Sequence, residues 1–239
     1  MEELRAQVAK ACRIIGKLDL TKAATGHISA RVPGTDTILI RARGPGESGV
    51  RFTDPDDVIT VDFDGKKIAG RDDLEPPQEV FIHTWMYRKR PEIGAVVHAH
   101  PATVVLFTIC NKPLLPLYGA YDPSSLKLLM EGIPTYPRSI TVSNDKLGEE
   151  FAGTMHGRAC LMRGHGITTC GATVQEATIT AIKLNELAEM NYRAQLLGNP
   201  QPIPDEEIAH ITRASNKEKS EARGAPLWRY YCSLVGEEE

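Results

Sequence analysis

The sequence predicts an α/β layered domain whose central sheet is mainly antiparallel and flanked by helices. Three observations carry that expectation. Short alternating or β-branched runs, such as 26–32 and 37–40, follow one another with only a turn between them. Such connections suit antiparallel neighbours, because parallel strands need a long crossover. Apolar residues at helical spacing bracket these strands, at 2–18 and 174–197. No internal repeat, low-complexity tract or Pro/Gly/Ser-rich linker divides the 239 residues. Residues 1–239 are therefore expected to form one domain, with a helical extension from about 200.

The elements follow in order. Leu4, Val8, Ala11, Ile14 and Ile15 recur at helical spacing, so residues 2–18 form an amphipathic helix. Gly26-His27-Ile28-Ser29-Ala30-Arg31-Val32 alternates as a strand, and 37–40 follows after Pro33-Gly34. Residues 41–50, rich in Arg and Gly, read as a loop, and Val58-Ile59-Thr60-Val61 with Asp64-Gly65 predicts a hairpin. Helical patterning runs from Pro77 through Arg88, with proline suited to a first turn. A strand over 95–100 precedes a helix over 102–110, and 126–130 and 145–154 predict short helices. Strands 159–162 and 166–169 flank Arg163-Gly164-His165. A long helix over 174–197 stops at Gly198-Asn199-Pro200, and helical segments at 205–220 and 227–234 close the chain.

Composition excludes several classes of function. A formal net charge of −3 gives no electrostatic footprint for nucleic acid or an anionic membrane. No apolar run approaches a membrane span. The five cysteines are scattered without CxxC spacing, as expected of reduced thiols in a cytoplasmic protein. The charged start, Met1-Glu2-Glu3-Leu4-Arg5, lacks the apolar core of a signal peptide.

The chemistry gathers around His98-Ala99-His100-Pro101. Imidazoles one residue apart on a strand project to the same face, a geometry suited to two ligands of one ion. His165, between Gly164 and Gly166, is a candidate third ligand, since missing Cβ atoms allow close backbone approach. Glu79 is a candidate carboxylate near a helix start. Each has a plain alternative: strand-end histidines bonded to backbone or solvent, an exposed turn residue, and an acid complementing a helix N-terminus. His83, one turn beyond Glu79, either supports such a site or lines the core, and His156 and His210 read as surface residues.

Gly26-x-Ile28-Ser29, then Glu79, then His98-Ala99-His100-Pro101, then Arg163-Gly164-His165-Gly166 resembles the class II aldolase/adducin superfamily, from the first helix to about Leu197. The resemblance implies a three-layer α-β-α fold. It implies one divalent transition-metal ion per subunit, Zn²⁺ or Mn²⁺ with Fe²⁺ or Co²⁺ also suited, held by His98, His100 and His165. Glu79 would ligate the ion or act as acid/base. It further implies a homotetramer or larger ring with active sites near subunit boundaries.

Within the superfamily, sugar-phosphate enzymes carry Gly-Asn-x-Ser, a Ser/Thr-Gly turn and a serine pair before the glutamate. This chain has His27, then Arg41-Ala42-Arg43-Gly44-Pro45-Gly46, then Pro76-Pro77 in those places. Prolines offer neither hydroxyls nor N–H donors. Arg41 and Arg43 suit a carboxylate through charge-assisted bonds. The pattern resembles the branch that decarboxylates hydroxylated aromatic or pyridine dicarboxylates, such as dihydroxyphthalates. A lyase of that kind would take a small aromatic dicarboxylate, with His27 or Glu79 as proton donor. Arg41, Arg43 and Ser29 are the expected substrate contacts. Tyr121, in Tyr118-Gly119-Ala120-Tyr121-Asp122, and Arg229, in Trp228-Arg229-Tyr230-Tyr231, are further candidates, although both aromatic groups also read as packing. Two other functions fit the motifs: an aldolase of a non-phosphorylated hydroxy acid, and an adducin-like binding domain without catalysis.

Overall fold

Side-chain alternation on the strands decides which groups reach the site. On β5 (Ala95–Ala99), Ala95, Val97 and Ala99 enter one hydrophobic cluster and Val96 the other. His98 therefore falls on the Val96 side. On β1 (His27–Arg31), Ile28 and Ala30 enter the first cluster, which sends His27 and Ser29 to the same side as His98.

The computed structural model of the chain describes residues 1–117, 123–213 and 217–237. Its strands form one eight-stranded sheet in the order β4-β3-β2-β1-β5-β8-β7-β6. The remaining strands are β2 (Thr37–Arg41), β3 (Val58–Asp62), β4 (Lys67–Ala69), β6 (Thr135–Tyr136), β7 (Ala159–Met162) and β8 (Gly166–Gly171). Every pairing is antiparallel except β6 with β7. On one face lie α1 (Glu2–Lys17), α3 (Ala102–Ile109), α6 (Val174–Leu197) and α8 (Lys217–Ser233), whose Val8, Phe107, Leu184 and Trp228 share a buried cluster. On the other lie α2 (Val80–Lys89) and α5 (Asp145–Thr154), where Met86 and Phe151 pack with Val96 and Val142. Helix, sheet and helix make the three layers expected. The shorter α4 (Pro123–Met130) and α7 (Asp205–Arg213) complete the helices. Among the described residues no helix is long and apolar enough to cross a membrane.

The structure departs from the expected elements at several places, of which these bear on the site and the helical layer. Arg41 is the last residue of β2 and is buried, because Arg41 pairs with Val58 in the sheet. α2 begins at Val80, three residues after Pro77, since the Val80 N–H first turns back to the Pro77 carbonyl. β6 is two residues long, too short for any periodicity to announce it. α8 runs from Lys217 through Pro226, where a break before Leu227 was expected. Proline costs that helix an N–H, and the burial of Trp228, Tyr231 and Cys232 beyond it supplies the compensation.

Phe151 meets Tyr136 edge-on, with ring centroids 5.4 Å apart, under the site's side of the sheet. Phe151→Ala is expected to lower unfolding stability by about 3–5 kcal/mol, read by urea denaturation.

Candidate metal centre

Glu79 occupies the position before the first residue of α2, with φ −95° and ψ 26°. A carboxylate there ordinarily accepts from the first N–H groups of the helix, yet Glu79 makes no such bond. Its Oε1 accepts from the Val142 backbone N–H at 3.0 Å. Its Oε2 lies 3.2 Å from His98 Nε2 and 3.3 Å from His165 Nε2. His100, returning to the same face two residues after His98, places its Nε2 2.9 Å from that of His98.

His165 arrives from the β7–β8 turn. Gly164 adopts φ +60°, which favours glycine. Its N–H donates to Thr108 Oγ1 at 2.9 Å, and the His165 N–H donates to the Met162 carbonyl at 3.1 Å. Gly166 lets β8 close on β5: a Cβ there would sit 2.2 Å from the Ala99 carbonyl oxygen and 2.8 Å from His100 Cδ2. Of the two flanking glycines, the close approach expected is met at Gly166, whereas at Gly164 a Cβ would meet nothing nearer than 3.5 Å and glycine serves the backbone conformation.

Ligand atoms of Glu79, His98, His100 and His165 all lie within 4.8 Å of one another. Donors on a tetrahedral ion with bonds of 2.0–2.2 Å are about 3.4 Å apart, so one ion fits this spacing. The hydrogen bonds also present the correct nitrogen. Thr168 Oγ1 donates to Met162 Sδ at 3.5 Å, and His98 Nδ1 is 3.3 Å from the same oxygen. The thioether only accepts, so Thr168 accepts from His98 Nδ1–H and leaves Nε2 bare for the cluster. Three imidazoles and a carboxylate suit Zn²⁺, Mn²⁺, Fe²⁺ or Co²⁺.

The electrostatics match a cation site. Burial pushes the Glu79 carboxyl up, but positive charge at the His98 and His165 nitrogens that face its Oε2 outweighs it and holds the group well below the carboxylate range, as a cation bound among them would. His165 is raised, chiefly by its bond to Glu79. His100 is lowered to about 3 by burial, with His98 and His165 adding to the effect.

A model of the class II aldolase and adducin N-terminal domain matches residues 6–192. The chain belongs to this family. It is 37% identical over 213 residues to a 3,4-dihydroxyphthalate decarboxylase of Arthrobacter keyseri, covering 87% of this chain and 85% of the relative. It is 38% identical over 195 residues to a 3,4-dihydroxyphthalate decarboxylase of Rhodococcus jostii, covering 80% of each. An L-fuculose 1-phosphate aldolase from Glaciozyma antarctica shares the fold with a TM-score of 0.82, 19% identity, and coverage of 99% of this chain and 91% of the other.

Other family positions fall into distinct surroundings. His27 is buried, its ring centroid 5.0 Å from that of His98, and its Nδ1 is 2.7 Å from His83 Nε2. Ser29, expected at the substrate, is fully buried between His83 Nδ1 (2.6 Å) and Tyr87 OH (2.7 Å). Arg41, expected on a loop, donates through Nε to Thr53 Oγ1, through Nη1 to the Ala24 and Gly26 carbonyls, and through Nη2 to Glu47. Its guanidinium fastens the turn that leads into His27. Arg43 is exposed, its Nε donating to the Pro76 carbonyl, and it edges an open pocket of ≈ 460 Å³ with Gln78, Thr141 and Ser143. Arg229 is exposed on α8 beside the buried Trp228. Tyr118 and Tyr121 lie outside the described residues. His156 and His210 are exposed, as expected.

Thr168, Met162 and the Val142 N–H escaped sequence reasoning. Thr168 stands opposite His98 in the β5–β8 register, and only that register gives a strand threonine this role.

Two outcomes follow from this geometry. Thr168→Val is expected to weaken Zn²⁺ binding about 10–100-fold, measured by chelator competition. Affinity should fall with decreasing pH, since imidazoles bind metal only when deprotonated; titration calorimetry across pH 5–8 checks the sign.

Proposed function

We propose that the protein is a metal-dependent, non-oxidative decarboxylase of a hydroxylated aromatic dicarboxylate of the dihydroxyphthalate type. The observation that carries this is the identity of 37–38% to two 3,4-dihydroxyphthalate decarboxylases across at least four-fifths of each chain, together with a complete Glu79, His98, His100 and His165 cluster. Departures from the sugar-phosphate pattern at His27, Arg41–Arg43 and Pro76-Pro77 favour it over aldol cleavage of a phosphorylated sugar.

In this reaction the bond from the ring to one carboxylate breaks, the ring takes up the electron pair, and a proton replaces CO2 on the same carbon. A divalent ion at the cluster supplies Lewis acidity that stabilises negative charge on the substrate. The chain's own residues divide the remaining tasks. Glu79 faces the His98 and His165 nitrogens with one oxygen and accepts from the Val142 N–H with the other, which suits a ligand or base rather than the acid. His27 then becomes the donor that faces the reacting ring. Arg43, whose guanidinium among the described residues is bonded through Nε alone, offers its two terminal nitrogens for bidentate contact with the second carboxylate. Arg41 acts indirectly, through the carbonyls it holds before His27. A cytoplasmic homotetramer, or a larger ring with sites near its interfaces, remains part of the proposal.

The test is CO2 release from 3,4-dihydroxyphthalate by the metal-loaded protein, with a panel of pyridine dicarboxylates alongside. His27→Ala should keep its metal and lose about 10²–10⁴-fold in turnover. Arg43→Ala should raise KM about tenfold or more, the worth of a charge-assisted bond, with a smaller effect on kcat. Aldehyde release from a hydroxy acid, with no CO2 from any dicarboxylate, would overturn the proposal in favour of an aldolase. Absence of stoichiometric metal and of both activities would favour a binding domain.

A further inference from the structure

Behind His27 runs an unbranched chain of buried polar groups that metal binding does not require. Tyr87 OH is 2.7 Å from Ser29 Oγ, Ser29 Oγ is 2.6 Å from His83 Nδ1, and His83 Nε2 is 2.7 Å from His27 Nδ1. Ser29 and His83 are fully buried and Tyr87 is 1% exposed. The zigzag arises because two repeats coincide. His83 and Tyr87, four apart on α2, are separated by about 6 Å along the helix. His27 and Ser29, two apart on β1, are separated by about 6.6 Å along the strand.

Counting donors and acceptors gives this chain a direction. Tyr87 keeps its proton, since burial pushes its phenol upward, and Ser29 Oγ is the only side-chain acceptor it has among the described residues. Leaving that O–H unmade in the interior would cost about 1–3 kcal/mol, so Tyr87 donates to Ser29. Ser29 has one hydrogen, which then goes to His83 Nδ1. His83, held neutral by burial, carries its proton on Nε2 and donates to His27 Nδ1. That leaves Nδ1 of His27 an acceptor and puts the hydrogen of neutral His27 on Nε2. Among the described residues Nε2 has no hydrogen-bond partner, and the ring stands beside that of His98.

We propose that Tyr87, Ser29 and His83 are positioning residues that fix His27 as its Nε2–H tautomer, so that His27 meets its ligand only as a hydrogen donor. The ligand atom against it must be an acceptor, such as a carboxylate or phenolate oxygen. A substrate that presents a hydrogen donor at this point is rejected, because neither side could then accept. This inference rests on the decarboxylase reading for its catalytic meaning, and on hydrogen-bond geometry alone for the tautomer.

The test uses full-length, Zn²⁺-loaded protein labelled with ¹⁵N-histidine, whose long-range ¹H–¹⁵N correlations separate the tautomers without substrate. His27 should show a pyrrole-type Nε2 and a pyridine-type Nδ1. In Ser29→Ala and in Tyr87→Phe the His27 signals should become those of mixed tautomers. Turnover should fall about tenfold or more, Zn²⁺ stoichiometry should stay at wild type, and Ser29→Thr should restore both spectrum and rate. A protonated Nδ1 in the wild type overturns the inference. So do unchanged His27 signals in both variants, and that outcome would leave Ser29 and Tyr87 as packing residues. If either variant fails to fold, the wild-type spectrum and Ser29→Thr still decide. Because the spectrum needs no turnover, failure to release CO2 would remove the decarboxylase reading and leave the tautomer assignment standing.

Discussion

A carboxylate buried among imidazoles is the constraint on which the rest of the site depends. Glu79 draws His98 from β5 and His165 from the β7–β8 turn to one oxygen, while Val142 fixes the other. A buried charge is tolerable only when paired and hydrogen-bonded. Its partners therefore have to come from separate parts of the chain at once. The β5–β8 pairing, the glycine at 166 and the helix start at Val80 all serve that convergence.

Much of the fold was legible because strands and helices each carry their own period. Alternation on β1 and β5 and the apolar spacing of α1 and α6 identify elements directly. The residues of the cluster were legible for a related reason. His98 and His100 need only the strand repeat to share a face, and the glycines around His165 signal a close approach. What escaped was information held in register and in long-range contact. Thr168 gains its role only when β8 pairs with β5, and Val142 only when its segment reaches Glu79.

Arg41 shows the same limit from the other side. An arginine in a Gly-rich stretch looks solvent-facing, and nothing local reveals that Thr53, Glu47 and two backbone carbonyls wait for it inside. Ser29 is similar, since its family position suggests substrate and its actual neighbours are His83 and Tyr87. Arg43, two residues beyond Arg41, is left with an open pocket beside it. β2 ends at Arg41, so of two arginines in one motif the first is a structural fastener held inside and the second, beyond the strand, is exposed at the pocket.

The sheet ends abruptly on both sides, in the three residues of β4 and the two of β6. An eight-stranded sheet with long free margins would offer unpaired N–H and C=O groups to any passing strand. Here one margin is only Lys67–Ala69, with the Lys67 Nζ bonded to the Arg71 and Leu74 carbonyls. The other margin is a single parallel step. The outermost strands of this molecule offer little edge for strand addition, which disfavours growth into fibres at the place where such a wide sheet is most vulnerable.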